Sequence, residues 1–285
     1  MSRAREMASA LPLPPDIPRL TDAEFGRIAA RVHAETGIVL KDHKRQMVYS
    51  RMARRVRALN MTSFTAYLDH LDRSTDAEEK RAFVNAVTTN LTSFFREDHH
   101  FDDFAASVLP RLLNRPDGRI RIWSAGCSSG EEPYTAAMLV LHHCNDHPPS
   151  DLRILATDID TAMLDRGQAG IYKAERIAKI PARFARYMTD SPQAETMQVS
   201  GPVRRLVTFK PLNLIEPWPV SGPFDVIFCR NVLIYFDSPT KMEIVDRFAH
   251  LLRDGGTLYL GHSESLLDDH PLLDSVGGTI YRRRS

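Results

Sequence analysis

The chain has little cysteine: Cys127, Cys144 and Cys229 are the three in 285 residues. Their odd number, wide spacing and lack of a CxxC pair exclude a disulfide framework and a thiolate zinc site, and fit a reducing cytoplasm. Net charge is also small, +1 at pH 7, so nothing in the overall balance draws the protein to nucleic acid or membrane. No segment approaches the roughly 18 uninterrupted apolar residues of a membrane span, which excludes direct insertion. The opening MSRAREMASALPLPPDIPRL has an apolar run broken by Pro12, Pro14 and Pro15, too weak for a secretory signal, and reads as a flexible leader over residues 1–20. Internal repeats, low-complexity tracts and a GxGxxG fingerprint are absent as well.

What is present is the balance of an ordinary globular protein, 43% hydrophobic and 26% charged. The length suits one medium domain plus a smaller one. Residues 1–90 hold 15 Lys and Arg against 11 Asp and Glu, so the front leans basic and the remainder slightly acidic. Residues 21–88 predict a small all-α domain. Thr21 and Glu24 form a capping box for a first helix that Gly37 closes. A second, from Asp42 to Leu59, puts Val48, Met52, Val56 and Leu59 on one stripe and Arg51, Arg54 and Arg55 on a basic outer face. SFTAYLDHLD and DAEEKRAFVNAVTT supply two more helices.

After Arg119 short β-rich runs alternate with helical ones, which predicts an α/β fold with a doubly wound parallel sheet over residues 89–285. The strand candidates are RIRIWSAG, RILATDID, LVTFKPLNL, FDVIFCRNV and TLYLGHSES. Helical patterns lie at Tyr134–His143, Thr161–Ala169 and Pro239–Leu252. The polar stretch 182–209 predicts a small antiparallel β insertion, with TMQVSGPVRRLVTF as a hairpin turning at Gly201-Pro202.

Open α/β sheets bind ligands at the carboxyl ends of their strands, so the residues after each strand carry the functional signal. WSAGCSSGEEPY places Gly126 and Gly130 where backbone can approach a ligand, but follows them with Glu131 and Glu132 instead of a lysine. Such a loop repels a triphosphate and attracts an ammonium group. Asp158, ending the second strand, suits two ribose hydroxyls; Asn213 can read an adenine edge; Arg230 and Asn231 follow the central strand. The acidic loop and the missing dinucleotide fingerprint favour S-adenosylmethionine over NAD.

TNLTSFFRE, WSAGCSSGEEPY, ATDID, the GIY at Gly170–Tyr172, PLNL, FDVIFCRNVLIYFD and GHSES, in that order, resemble the CheR family of chemotaxis receptor glutamate O-methyltransferases over nearly the whole chain. The resemblance implies a class I methyltransferase-type fold with a helical front domain and a β insertion. It implies methylation of glutamates on the cytoplasmic helices of chemoreceptors, with S-adenosylhomocysteine as product. By matching motif positions, the implied cofactor contacts are Asn90, Thr92, Arg96, Glu131, Asp158, Asn213, Leu214, Arg230 and Asn231, with Arg96 and Tyr235 nearest the methyl group. The loop AGCSSGEE puts Cys127 near the cofactor.

A glutamate is already ionised at neutral pH, so this chemistry needs positioning and exclusion of water, not a general base. Arg96 can orient the carboxylate and Tyr235 can donate to it, against the simpler roles of an ion pair with Glu97 or Asp98 and of a core aromatic. The basic face of Arg51, Arg54 and Arg55 is expected to dock on an acidic receptor helix. The β insertion is a candidate for binding a receptor tail by strand addition. HHCNDH, His142–His147, sits at a helix end where histidines suit the dipole, so no metal is expected. Cys229, in an apolar strand, is expected to be an inert thiol. A nucleic-acid amino-methylating enzyme would show a proline-containing segment where Arg230-Asn231-Val232-Leu233 stands. A non-catalytic S-adenosylmethionine-binding module, or an enzyme with another substrate, is the competing class.

Overall fold

Parallel strands covered on both faces have to be apolar on both, and this alternation organises the larger unit of the protein. A computed structural model describes residues 19–266 and 269–285; most of the expected leader, 1–18, lies outside the described residues. The chain forms two units, the helices up to Thr88 and a second body from Thr89 to Ser285 that also takes in residues 36–38.

In the first unit, α1 (Asp22–Thr36) starts at the expected capping box. The Thr21 N–H donates to Glu24 at 2.9 Å and the Glu24 N–H to the Thr21 hydroxyl at 3.2 Å. A 3₁₀ turn over Asp42–Lys44 precedes α2 (Arg45–Ala58), so the expected single helix has a tighter first turn. Ser63 caps α3 (Phe64–Arg73) and Asp76 caps α4 (Ala77–Val87) through side-chain oxygens. Val48, Met52 and Val56 are fully buried, as the stripe predicts. The basic face needs correction. Arg55 ion-pairs with buried Glu79, which also accepts from the Tyr67 hydroxyl at 2.7 Å, and Arg51 donates to the Thr88 carbonyl. Of the three arginines Arg54 alone is exposed.

The second unit opens with α5 (Asp98–Asp103), a π turn over Phe104–Val108 and α6 (Leu109–Leu113). It continues with β1 (Arg119–Ala125), α7 (Glu131–His143), β2 (Asp151–Asp158) and α8 (Thr161–Ala169). Then come β3 (Ile171–Lys173), α9 (Ala174–Ile177), β4 (Met188–Asp190), β5 (Thr196–Val199), α10 (Gly201–Arg204) and β6 (Val207–Pro211). β7 (Phe224–Cys229), α11 (Ser238–Leu251), β8 (Leu252–Leu260), β9 (Leu273–Gly277) and β10 (Ile280–Arg283) complete it. The seven-stranded sheet runs β6-β2-β1-β7-β8-β10-β9, parallel from β6 to β8, with β10 antiparallel to both neighbours. Strand order reverses between β1 and β7, which puts the crevice for a ligand at their carboxyl ends.

Alternate residues feed the two apolar layers. Ile120, Ile122, Val226 and Phe228 join one layer with α7 residues, and Trp123, Ala125, Ile227 and Cys229 join the other with Ile244, Val245 and Phe248 of α11. The smaller sheet, β3-β5-β4, is antiparallel. It spans Ile171–Val199 instead of 182–209, and the expected hairpin at Gly201-Pro202 is overturned: Gly201 opens α10, and Val207–Pro211 belongs to the main sheet. Proline at a first helical turn and proline in a hairpin turn look alike locally. Among the described residues no helix is long and apolar enough to cross a membrane, and no group of three metal-ligating side chains forms, at His142–His147 or elsewhere.

Phe228 is fully buried, stacked 4.7 Å from the Tyr259 ring and flanked by Phe101 and Phe104. Phe228→Ala is expected to destabilise the second unit by about 3–5 kcal/mol, read from urea unfolding followed by tryptophan fluorescence; a loss under about 1 kcal/mol would contradict this packing.

Candidate active site at the strand ends

Four chain segments meet where the strand order reverses. After β1 the loop folds back on β2: the Gly126 and Cys127 N–H groups both donate to the Thr157 carbonyl, at 2.7 and 2.9 Å. Gly126 has φ +80°, and a β-carbon there would collide with Val232 in the loop after β7. Gly130, at φ +93°, lies where a side chain would meet Phe209 and the Gly167 backbone. The expected role of these glycines in permitting close approach is therefore a steric requirement of the fold.

Asp158 ends β2 with its carboxylate buried in this turn. It accepts from the Ser128 N–H at 2.7 Å and the Asp160 N–H at 2.9 Å. Burial raises its pKa, against those two hydrogen bonds, to about 6. Asp160 caps α8 and also accepts from the Asn90 amide at 2.6 Å, while the Asn90 carbonyl accepts from the Ser128 hydroxyl. Asn90 thus ties the segment before α5 to both the glycine loop and ATDID. Half-buried Asn213 follows β6, donating to Glu216 at 3.1 Å, and Leu214 is buried beside it.

Glu131 and Glu132 do not present free charge, which corrects the expectation of an electronegative loop. The Glu131 carboxylate, wholly buried, accepts from the Ser129 hydroxyl at 2.7 Å and is ion-paired with Arg176 of α9. Glu132 accepts from the Ser124 hydroxyl at 2.7 Å and pairs with Arg230 at 3.1 Å. The insertion is further fastened here by the Tyr172 hydroxyl, which donates to the Ser129 carbonyl at 2.6 Å.

Arg230 lies beneath the site with a side chain 2% exposed. Its Nε donates to His100 Nδ1 at 2.9 Å, and its other nitrogens reach Glu132, Glu97 and the Arg96 carbonyl. Because His100 Nδ1 accepts, the ring carries its proton on Nε2 and donates to the Gly278 carbonyl at 3.0 Å. Burial and then the neighbouring Arg230 charge lower the pKa of His100 to about 4, so the ring is neutral. Glu97 is the counterpart. Burial works against its ionisation, yet hydrogen bonds from His262 and Asn231 and the charge of Arg230 win and hold it at about 2. The Asn231 amide reaches Glu97 at 3.0 Å, and the Asn231 N–H donates to Glu264 at 2.8 Å.

Arg96 is half-buried and donates to the Leu91 carbonyl at 2.6 Å; its expected simpler partners, Glu97 and Asp98, form no ion pair with it among the described residues. Thr92 is half-buried in the same turn, and Tyr235 is half-buried in the 3₁₀ turn Leu233–Tyr235 after β7. Phe95, Glu97, Ser128 and Asn231 all hold positive φ near +50 to +60°, a sparsely populated backbone for such residues that recurs at functional sites. Cys127 and Cys229 are buried thiols whose pKa values burial pushes well up, so both are inert.

Sequence reading missed Glu97, Arg176, His100 and Glu264. Glu264, the acid of GHSES, is fully buried and accepts from the N–H groups of Gly261, Asn231 and Ile234 at 2.6–3.0 Å. A glutamate following glycine by three residues is a usable signal for such a turn; the partners of the other three are remote in sequence.

Residues 90–282 match the CheR methyltransferase, SAM binding domain, and residues 23–88 the CheR methyltransferase, all-alpha domain. The chain is 44% identical over 269 residues to chemotaxis protein methyltransferase 2 of Pseudomonas aeruginosa, covering 92% of this chain and 93% of the relative. It is 42% identical to the chemotaxis protein methyltransferase of Escherichia coli K12, covering 92% and 91%. The corresponding Klebsiella aerogenes protein is also 42% identical, covering 98% and 95%. With a glycine loop folded against the end of β2, Asp158 at that strand end, and two family matches spanning almost all described residues, this chain belongs to the CheR methyltransferase family and is an S-adenosylmethionine-dependent methyltransferase.

Proposed function

We propose that the protein transfers a methyl group from S-adenosylmethionine to glutamate side-chain carboxylates of chemoreceptors, in the cytoplasm, leaving glutamyl methyl esters and S-adenosylhomocysteine. The observation that carries this reading is the meeting at one crevice of Asp158 and the glycine loop with the strained, half-buried Arg96 turn. When bound, the cofactor supplies a sulfonium-activated, electrophilic methyl group.

The residues present fit that cofactor. Asp158 keeps lone pairs beyond its two backbone bonds and is placed to accept from ribose hydroxyls. Asn213 and Leu214 flank the place for the adenine, and Thr92 and Arg96 close the opposite side. Asn90, Glu131, Arg230 and Asn231 act by fixing the loops on which the others sit, since their polar atoms are bonded within the fold.

A substrate carboxylate has a pKa near 4.3 and is a ready nucleophile at neutral pH, so no residue need remove a proton. Arg96 has donors left after its bond to the Leu91 carbonyl. One of them orients a single carboxylate oxygen; a bidentate pair would tie up both and weaken attack. Tyr235 donates a second hydrogen bond. Exposed Arg54 docks on the acidic receptor helix, with Arg51 and Arg55 holding its helix in place. The outer strands of the small antiparallel sheet, β3 and β4, offer an edge for a receptor tail added as a further strand.

Radiolabelled S-adenosylmethionine and a purified cytoplasmic chemoreceptor fragment are expected to give alkali-labile counts released as methanol; cofactor binding without base-labile product on several receptors would point to the non-catalytic module or to another substrate. Arg96→Ala should abolish transfer while S-adenosylhomocysteine still binds, and full activity would remove Arg96 from the site. Arg54→Glu should raise KM for the receptor severalfold with cofactor affinity unchanged, screened by salt as exposed charges are; an unchanged KM would end the docking assignment. The pH dependence has a defined sign. Burial raises the Asp158 pKa to about 6, so its full acceptor capacity exists above that pH and is lost below it. Affinity for S-adenosylhomocysteine, measured by calorimetry, should therefore fall as pH drops through 6, and Asp158→Asn should weaken binding by about tenfold or more and flatten the profile.

A further inference from the structure

Between β6 and β7 the chain runs from Leu212 to Pro223 with neither helix nor strand, and Pro217, Pro219 and Pro223 interrupt it. This segment carries Asn213 and Leu214. With no sheet ladder to hold it, other bonds must fix where those two residues stand. The Leu212 N–H donates to the Asp158 carbonyl at 3.0 Å, which secures the near end. Beyond that point much of the fastening comes from one side chain of α11. Arg247 donates to the Leu214 carbonyl at 2.9 Å and to the Glu216 carbonyl at 2.5 Å. Its guanidinium also lies over the Trp218 ring, 3.8 Å from the centroid. The Trp218 indole N–H reaches the same Leu214 carbonyl at 3.1 Å, while its ring packs against Trp123 and Phe248. A planar fork that spans two carbonyls sets the direction of the backbone as well as its distance.

The segment held in this way orients the Asn213 side chain. Its Nδ2 donates to the Glu216 carboxylate at 3.1 Å, and its Oδ1 accepts from the Ile215 N–H at 3.4 Å. A carboxylate only accepts and a backbone N–H only donates, so the amide stands one way round. The shorter of the two bonds is made by Glu216, the residue whose carbonyl Arg247 grips. Adenine has an amino donor at its 6-position beside a ring-nitrogen acceptor, which an asparagine amide matches in one orientation. Hypoxanthine has an oxygen acceptor there beside an N–H, and matches the reverse. An amide that can turn over serves either base; one held by a carboxylate serves one. We propose that Glu216, seated by Arg247, is a positioning residue that locks the Asn213 amide, so that the cofactor site takes adenine and rejects a 6-oxopurine. This rests on the placement of the adenine beside Asn213 and Leu214 and deepens it. Neither Glu216 nor Arg247 has to touch the cofactor, since both act through the amide.

The experiment titrates the full chain, by calorimetry, with S-adenosylhomocysteine and with S-inosylhomocysteine, which carries hypoxanthine in place of adenine. Wild type is expected to bind the inosine analogue on the order of tenfold more weakly, as for loss of a matched donor and acceptor. The Glu216 side chain is exposed, and Glu216→Gln can donate as well as accept. This variant should bind the inosine analogue more tightly than wild type does, a gain that damage to the fold does not produce. Arg247→Lys keeps the charge and loses the fork, and should narrow the ratio of the two dissociation constants severalfold. Asn213→Ala should bring that ratio near unity, and adding Arg247→Lys to it should change the ratio no further. If Asn213→Ala removes the discrimination while Glu216→Gln keeps the wild-type ratio, Asn213 reads the base without Glu216 and the proposal is wrong. Equal weakening of both ligands by Arg247→Lys would overturn the link from Arg247 to the amide. Wild type binding both ligands equally, with Asn213→Ala no different, would defeat the placement of adenine at Asn213 itself and the proposal with it.

Discussion

The buried guanidinium of Arg230 is the constraint on which the site depends. A cation taken out of water at 2% exposure costs several kcal/mol unless every donor finds a partner. Its partners come from separate pieces of chain: Glu132 on α7, His100 on α5, and Glu97 with the Arg96 carbonyl on the segment before α5. Satisfying one side chain therefore fixes the relative positions of the strand end, the helix that follows the glycine loop and the turn that carries Arg96. The rigid planar fork of arginine suits this better than a lysine would. The positive φ values at Phe95, Glu97 and Asn231 persist because this network over-determines them.

The same network explains how an acidic loop can adjoin a site whose substrate is itself an anion. Two adjacent buried glutamates would be untenable alone; Arg176 and Arg230, one from each side, neutralise them. What the loop then keeps is close packing of its own backbone, against Val232 at Gly126 and against Phe209 and Gly167 at Gly130, with the Asp158 carboxylate held by backbone N–H groups at its edge. Burial lifts the Asp158 pKa to about 6, which still leaves that carboxylate ionised at neutral pH. The two arginines at the loop are spent on its own glutamates, so neither the acids nor the cations there stand as open charge.

Features written in local pattern were legible in the sequence. The Thr21–Glu24 box, the apolar parallel strands and the glycine loop each depend on residues within a few positions of one another, and each stands where it was expected. Asp158, Asn213, Arg230 and Asn231 likewise stand at or just after the ends of parallel strands, where the strand pattern puts them. What local pattern could not give is the choice of remote partner. A helical stripe marks Arg51 and Arg55 as off the apolar face, but not that Glu79 lies 24 residues on from Arg55 and the Thr88 carbonyl 37 on from Arg51. Glu131 and Glu132 look like open charge in local pattern because their partners Arg176 and Arg230 are 45 and 98 residues away. Gly201-Pro202 satisfies a helix start as well as a turn, and only the register of β6 against β2 decides between them.

The protein thus uses its charges in two regimes. Pairs such as Arg230 with Glu132 and Arg55 with Glu79 are withdrawn from solvent, little screened by salt, and define geometry. Exposed cations such as Arg54, Lys179 and Arg183 have solvated heads, contribute little to stability, and remain available to a partner. A formal net charge of +1 conceals this division, because it counts acids buried in ion pairs, such as Glu79, Glu131, Glu132 and Asp225, the same as exposed ones. For an enzyme whose proposed substrate loses a negative charge with each turnover, the division has a consequence. On the docking proposed for Arg54, methylation weakens the substrate's hold on exposed positive charge and leaves the buried framework unaffected, so product release and retention of the site's geometry rest on different residues.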